Sequence, residues 1–155
     1  KACEQAVWYG RGPLETYPDC KEGNAIGCWE KNVEDFYFPY VLPQETGNHE
    51  DTRWAAFVTE AGNGICIASD KEFSFGALHY TQENLTQATH TNELHRTENI
   101  QLSVDYAQHG LGSASWGAEC LEKDKLYSEP FTFTWKIFGT EKESLAERAE
   151  QYRRK

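Results

Sequence analysis

Along most of this chain, apolar and polar residues alternate with a period of two, which predicts strands. In "NIQLSVDYAQ" (99–108), Ile100, Leu102, Val104 and Tyr106 alternate with polar partners. In "FTFTWKIF" (131–138), Phe131, Phe133, Trp135 and Ile137 do the same. Half-buried antiparallel strands carry this signature, with one face on a core and the other in water. "FYFPYV" (36–41), "RWAAFVT" (53–59), "GICIAS" (64–69) and "FSFGALHY" (73–80) are short, apolar or alternating, and bounded by turn residues. They predict four more strands. "EAGNG" (60–64) reads as the hairpin turn joining two of them.

The pattern changes in two places. In 81–94, Thr81 offers a helix cap and Leu85 and Ala88 share one side. In 140–155, Thr140 and Glu143 form a capping-box pattern, with acids early and Arg153, Arg154 and Lys155 last, as a helix dipole favours. The apolar stripe Leu145, Ala149, Tyr152 is thin, so this helix is expected to lie on a surface. With no internal repeat, low-complexity stretch or linker, the chain reads as all-β. We expect an antiparallel β-sandwich over residues 1–139 with one or two peripheral helices, the last over 140–155.

At 155 residues the chain suffices for one domain with a substantial core. A net charge of −10 argues against nucleic acid or an anionic membrane surface as partner. No apolar run approaches the roughly 18–20 residues of a membrane helix. The chain opens at Lys1 and contains no methionine, so a piece of a longer protein is expected. Five cysteines, an odd count without a CxxC pair, suggest free structural thiols and a cytoplasmic protein.

Chemistry is sparse. No GxSxG nucleophile motif is present, and His90 and His95, five apart, suit neither one helical face nor the usual zinc spacings. The acids are spread through loops without an evident pair. The chain does not look self-sufficient as an enzyme. Its loops are more distinctive: "WYGRGPLETYPD" (8–19) and "LPQETGNHEDTRW" (42–54) are long and polar, with interspersed aromatics. Arg11, Glu15, Asp19, Glu45 and Arg53 in them read first as groups that brace the loops. "GLGSASWGAEC" (110–120) sets Trp116 among the smallest residues, either to plug a core or to be held out against something flat.

"WYGRGPLETYPD", "FYFPYVLPQETGNHEDTRW", "LTQATHTNEL" and "SVDYAQHGLGSASWGAE", in this order and at these distances, resemble the C-terminal part of the last domain of family 2 β-galactosidases, the small-chain domain. The resemblance runs from Val7 to Phe138. It implies the C-terminal half of an antiparallel super-sandwich of the galactose-mutarotase type. It also implies a retaining glycosidase, acting on terminal β-D-galactosides, whose catalytic glutamates lie on a separate TIM barrel. In this chain it assigns no catalytic residue, metal or cofactor; any Mg or Na of the parent enzyme belongs to other domains.

The resemblance further implies that Trp116, with Ser115, contacts substrate in the parent active site, and that Gly110, Gly112 and Ser113 shape the loop. The parent's other domains become partners, and a half-domain with uncovered sheet edges is expected to self-associate. Two departures stand out: Ser113–Ala114–Ser115 replaces a longer acidic stretch found in some members, and Ala118 stands where proline is usual. Two other readings compete. A free-standing carbohydrate-binding module would need Trp8, Trp29 or Trp54 exposed beside Trp116. A mutarotase-like epimerase would need His79, His90 or His109 to face a sugar pocket with a glutamate.

Overall fold

The computed structural model describes residues 3–112 and 117–154. Among these residues, six strands form a single antiparallel sheet: β1 (Gln5–Gly12), β2 (Ala25–Asn32), β3 (His49–Val58), β4 (Asn63–Leu78), β5 (Gln101–Asp105) and β6 (Trp135–Glu141). The order is β2-β1-β3-β4, and the far edge of β4 is shared. Asn63 to Ser69 pair with β6, and Ser74 to Leu78 pair with β5. The all-β antiparallel class and the peripheral helices agree with the sequence reading.

β4 joins what the sequence pattern separates into two strands. The polar triplet Asp70, Lys71, Glu72 is not a turn. It lies where the β3–β4 register jumps, from Thr52↔Phe73 to Trp54↔Ala68, so these residues bulge outward from a strand that continues. Arg53 reaches across to Glu72 at 2.5 Å. The expected 60–64 turn is present, with Gly62 at φ +82°. Thr59 N–H donates to Asn63 O at 2.8 Å.

Other expectations need correction. The segment 8–19 is not wholly loop, because β1 occupies it as far as Gly12. Its glycines serve close packing: a Cβ on Gly10 would lie 2.6 Å from Thr52 Oγ1, and one on Gly12 would lie 2.7 Å from Trp29 Cδ1. Residues 36–41 are not a strand. A 3-10 turn, Val33–Phe36, drives Phe36 into the core, and the chain then runs irregularly through Pro39, which has no N–H to donate to a ladder.

The helix expected over 81–94 is shorter: α1 spans Gln82–Gln87, followed by a 3-10 turn at Thr91–Glu93. Thr81 caps it as expected, accepting from Asn84 N at 3.1 Å. Glu93 then turns back to accept from Thr89 N at 2.7 Å, a local bond that competes with helix. The last helix, α2, spans Leu145–Arg153. It does not start at a Thr140–Glu143 capping box, because Thr140 is still in β6, opposite Gly64.

The sheet is covered on both faces. On one, Trp8, Phe36, His49 and Phe75 pack ring against ring at 4.6–5.9 Å, with Phe57, Ile67, Leu78 and Leu85 around them. On the other, Trp54, Ala56, Cys66 and Ala68 receive Leu145 and Ala149 of α2. The small residues there let the helix lie close. Tyr152, third member of the predicted stripe, stacks on Phe138 at 4.1 Å.

Candidate functional site

Three stretches distant in sequence meet at one end of the sheet: residues 13–24, 45–51 and 105–112. They are joined through polar groups. Thr16 N–H donates to Asn48 O at 2.7 Å, and Glu50 N–H donates to Thr16 Oγ1 at 2.8 Å. Asn48 Nδ2 donates to Thr16 O at 2.9 Å and to Glu50 Oε1 at 3.0 Å. Gln108 Nε2 adds the third stretch, donating to Asn48 Oδ1 at 3.1 Å and to Asp105 Oδ2 at 3.2 Å. Thr16 and Asn48 are buried, so these bonds satisfy groups that would otherwise be costly to desolvate.

The five charged residues picked out in the loops all act as braces. Arg11 Nε meets Asp51 Oδ2 at 2.5 Å, and its Nη1 donates to the carbonyls of Lys21 and Asn24 at 3.2 and 2.9 Å. Lys21 Nζ shares Asp51 at 2.7 Å. Burial raises the Asp51 carboxyl, but the Lys21 and Arg11 bonds and charges more than offset it and hold it below the usual range. Glu15 accepts from Tyr40, from Thr46 Oγ1 at 2.8 Å and from Gly47 N at 2.7 Å. Glu45 is pushed up by burial, against a hydrogen bond from Gln82. Arg53 donates to Asp51 O at 2.8 Å besides its pairing with Glu72.

From this end springs the segment that carries Trp116. Asp19 accepts from Leu111 N at 3.0 Å and from Gly112 N at 2.6 Å. Gly110 N–H donates to Asp124 O at 2.8 Å. A Cβ on Gly110 would meet Asp124 Cβ and Cys120 Cβ at 3.0 Å and Asp19 Cγ at 3.1 Å. Gly112 sits at φ +67°, and a Cβ there would be 2.8 Å from Cys120 N. Both glycines are thus dictated by space or by backbone angle. His109 closes the return side: Leu126 N–H donates to its Nδ1 at 3.0 Å, and its Nε2 lies 3.3 Å from Cys120 Sγ. Ser113, Ser115 and Trp116 lie outside the described residues.

Beyond the loop base, a groove of about 820 Å³ is lined by Tyr106, Lys125, Tyr127, Glu129, Phe131 and Phe133. Tyr106 and Phe131 stack at 4.6 Å with planes 12° apart, and Phe131 is 64% exposed. Leu121, Leu126, Trp135 and Ile137 add exposed apolar surface.

Among the described residues, those that the competing readings name are engaged elsewhere, His109 with Leu126 and Cys120 as above. Trp8 and Trp54 are buried, and the half-buried Trp29 ring donates to Gly10 O at 3.2 Å, so they make no aromatic platform. His79 is buried between Glu4, 2.8 Å from Nε2, and the Thr97 carbonyl, 3.0 Å from Nδ1. His90 is engaged with Thr89 at 3.0 Å and with Glu93 at 3.4 Å. Neither the Asp19 bonds to Leu111 and Gly112 nor the Thr16–Asn48–Gln108 links follow from the sequence pattern. No local pattern marks contacts made between residues dozens of positions apart.

Fold and loop cluster together define an all-β domain that gathers its polar loops at one end of an antiparallel sheet. Residues 1–137 match the β-galactosidase small-chain family, and the chain belongs to that family. It is 34% identical over 137 residues to a β-galactosidase of Staphylococcus xylosus, covering 88% of this chain and 14% of that protein. It is 38% identical over 123 residues to β-galactosidase BgaC of Bifidobacterium adolescentis, covering 77% and 12%. To a β-galactosidase of Kluyveromyces lactis it is 34% identical over 136 residues, covering 86% and 13%. The chain therefore spans about a seventh or less of these relatives.

Proposed function

We propose that this chain is the small-chain portion of a retaining β-galactosidase that hydrolyses terminal β-D-galactosides. The observation that carries this reading is the similarity, over most of this chain, to β-galactosidases several times its length. The double displacement needs two carboxyl groups about 5–5.5 Å apart flanking the scissile bond. Those glutamates belong to a TIM barrel elsewhere in the polypeptide, and any Mg or Na site belongs to other domains. Among the described residues, no group of three or more His, Cys, Asp or Glu is arranged to hold a metal.

This portion contributes two things. The first is a wall of the galactoside site, through Trp116 with Ser115. A pyranose presents a face of C–H groups, and an indole gains about 0.5–1.5 kcal/mol from specific stacking, with ~1–2 kcal/mol more from apolar burial. The second is an interface with the parent's other domains, supported by the exposed aromatic groove around Phe131. Without those domains, the open sheet edges favour self-association. In this reading residues 1–139 are the sandwich portion, 140–155 pack on it, and the protein works in the cytoplasm.

The test is Trp116→Ala in the full-length enzyme. Galactoside binding should weaken by ~1–3 kcal/mol, whatever the leaving group, with the melting temperature unchanged. A large fall in melting temperature with unchanged affinity would instead make Trp116 a core plug. The isolated chain should not turn over a chromogenic β-galactoside; turnover abolished by mutating one of its own acids would refute the division of labour.

A further inference from the structure

The segment that carries Trp116 leaves from Gly112, and the side chain that fixes this point comes from the other end of the sequence. Asp19 uses both carboxylate oxygens on successive backbone donors: Oδ1 on Leu111 N at 3.0 Å and Oδ2 on Gly112 N at 2.6 Å. Two neighbouring N–H groups held by one planar carboxylate fix the direction of the backbone as well as its position. The fit is tight, because Gly110 leaves Asp19 Cγ only 3.1 Å from where a Cβ would stand.

Asp19 is itself fastened to the sheet. Cys20 N–H donates to Tyr17 O at 2.9 Å, closing a turn around it, and Thr16 is bonded to Asn48. Arg11, on β1, grips the carbonyls of Lys21 and Asn24 just beyond. The path from β1 to Gly112 is therefore a series of short, directed bonds.

We propose that Asp19 is the positioning residue of the Trp116 segment: its carboxylate sets the direction in which the chain leaves Gly112, and so where the indole meets a galactoside. The proposal rests on the reading of Trp116 as a substrate contact. Asp19 touches no reacting atom and acts through Gly112. Burial raises its carboxyl, but the Gly112 and Leu111 hydrogen bonds more than offset this, so the clamp stays ionised at neutral pH. An asparagine could keep one of the two bonds, but its amide N–H₂ would confront the other N–H donor.

The experiment uses the full-length enzyme and compares Asp19→Ala, Asp19→Asn, Trp116→Ala and the double variant Asp19→Ala/Trp116→Ala. KM and kcat are read with a chromogenic β-galactoside, and amide hydrogen exchange is read across residues 107–120. Asp19→Ala should raise KM about tenfold and speed exchange at Leu111 and Gly112. Asp19→Asn should fall between Asp19→Ala and the unchanged enzyme, and it carries the comparison should Asp19→Ala not fold. The double variant should be no worse than Trp116→Ala alone, since both would remove one contact.

Unchanged KM in Asp19→Ala, while Trp116→Ala raises it, overturns the proposal and leaves the substrate-contact reading standing. Additive effects also overturn it, because Asp19 would then act by another route. If Trp116→Ala leaves KM unchanged, the substrate-contact reading falls, and exchange alone decides the clamp. Faster exchange at Leu111 and Gly112 upholds it; unchanged exchange overturns it.

Discussion

The ring cluster under the sheet and the polar cluster at its end are both buried, but they are held together in different ways. Around Trp8, Phe36 and Phe75, stability comes from apolar area removed from water, which does not depend on direction. Around Thr16, Asn48 and Gln108 it comes from single bonds whose loss strands a partner. The first arrangement gives a stable platform that tolerates small shifts. The second fixes particular backbone atoms in direction as well as position, as the loop contact proposed above requires. The comparison predicts that damage to the ring cluster unfolds the protein, whereas damage to the polar end misplaces a loop.

The largest effect should come from Trp8→Ala. Trp8 is fully buried and contacts Phe36, His49 and Phe75. Truncating such a ring typically costs about 3–5 kcal/mol. It should appear in urea denaturation as a much lower midpoint with the slope unchanged. A loss under ~1 kcal/mol would mean that this cluster does not carry the fold as the comparison requires.

The two regions also differ in how far the sequence discloses them. β3, β5, the 60–64 turn and the face Leu145–Ala149–Tyr152 follow from period and turn chemistry, because each pattern is local. β1 was hidden by Gly10 and Gly12, whose role appears only once Thr52 and Trp29 lie against them. β2 lies at an edge of the sheet, and its apolar residues come as the adjacent pairs Ala25–Ile26 and Cys28–Trp29 rather than alternating, so its pattern is weak. Thr140 looked like a cap because pairing with Gly64, far away in sequence, cannot be read locally. For the site, the resemblance points to Gly110 and Gly112, and both positions leave little room for a Cβ. Their partner Asp19 lies more than 90 positions away, beyond the reach of any spacing rule.

A second, smaller effect lies at the border between the two regions. His49 belongs to the ring cluster, yet its Nδ1 lies 3.0 Å from Gly47 O in the polar stretch. Burial lowers its pKa from the ordinary 6.5 to about 4, with the Gly47 carbonyl opposing and the Lys31 charge assisting. The folded value lies below the unfolded one, so the unfolded chain takes up the proton first as pH falls. Stability from this group is complete above about pH 6.5 and is lost on the way down to about 4. Between pH 7 and pH 4.5 the loss should be about 2–3 kcal/mol. Urea midpoints at both pH values should show it, and His49→Gln should flatten that interval. Asp19 and Asp51, whose values are also lowered, weaken the fold in the same direction as pH falls, but through their own lower range. An equal pH dependence in His49→Gln would assign the acid sensitivity to the carboxylates.

The smallest effect tests the polar end alone, through two glycines. Gly23 has open space where a Cβ would stand, whereas Gly112 combines φ +67° with Cys120 N at 2.8 Å. A left-handed backbone angle costs a side chain roughly 1–2 kcal/mol, and here the obstructing atom is backbone, which cannot swing aside. Gly23→Ala should lie within about 0.5 kcal/mol of the parent, as an unobstructed surface change does. Gly112→Ala should cost ~1–2 kcal/mol at most, because the segment can relax by giving up its bonds to Asp19 while the ring cluster stays intact. That escape is itself measurable. The urea midpoint should fall only slightly, while amide exchange at Leu111 and the residue at 112 speeds up and exchange in β1 and β3 does not. If Gly112→Ala instead destabilises β1 and β3 along with the loop, the two regions form one cooperative unit. The polar end would then be part of what holds the sheet together, and not only a fixture mounted on it.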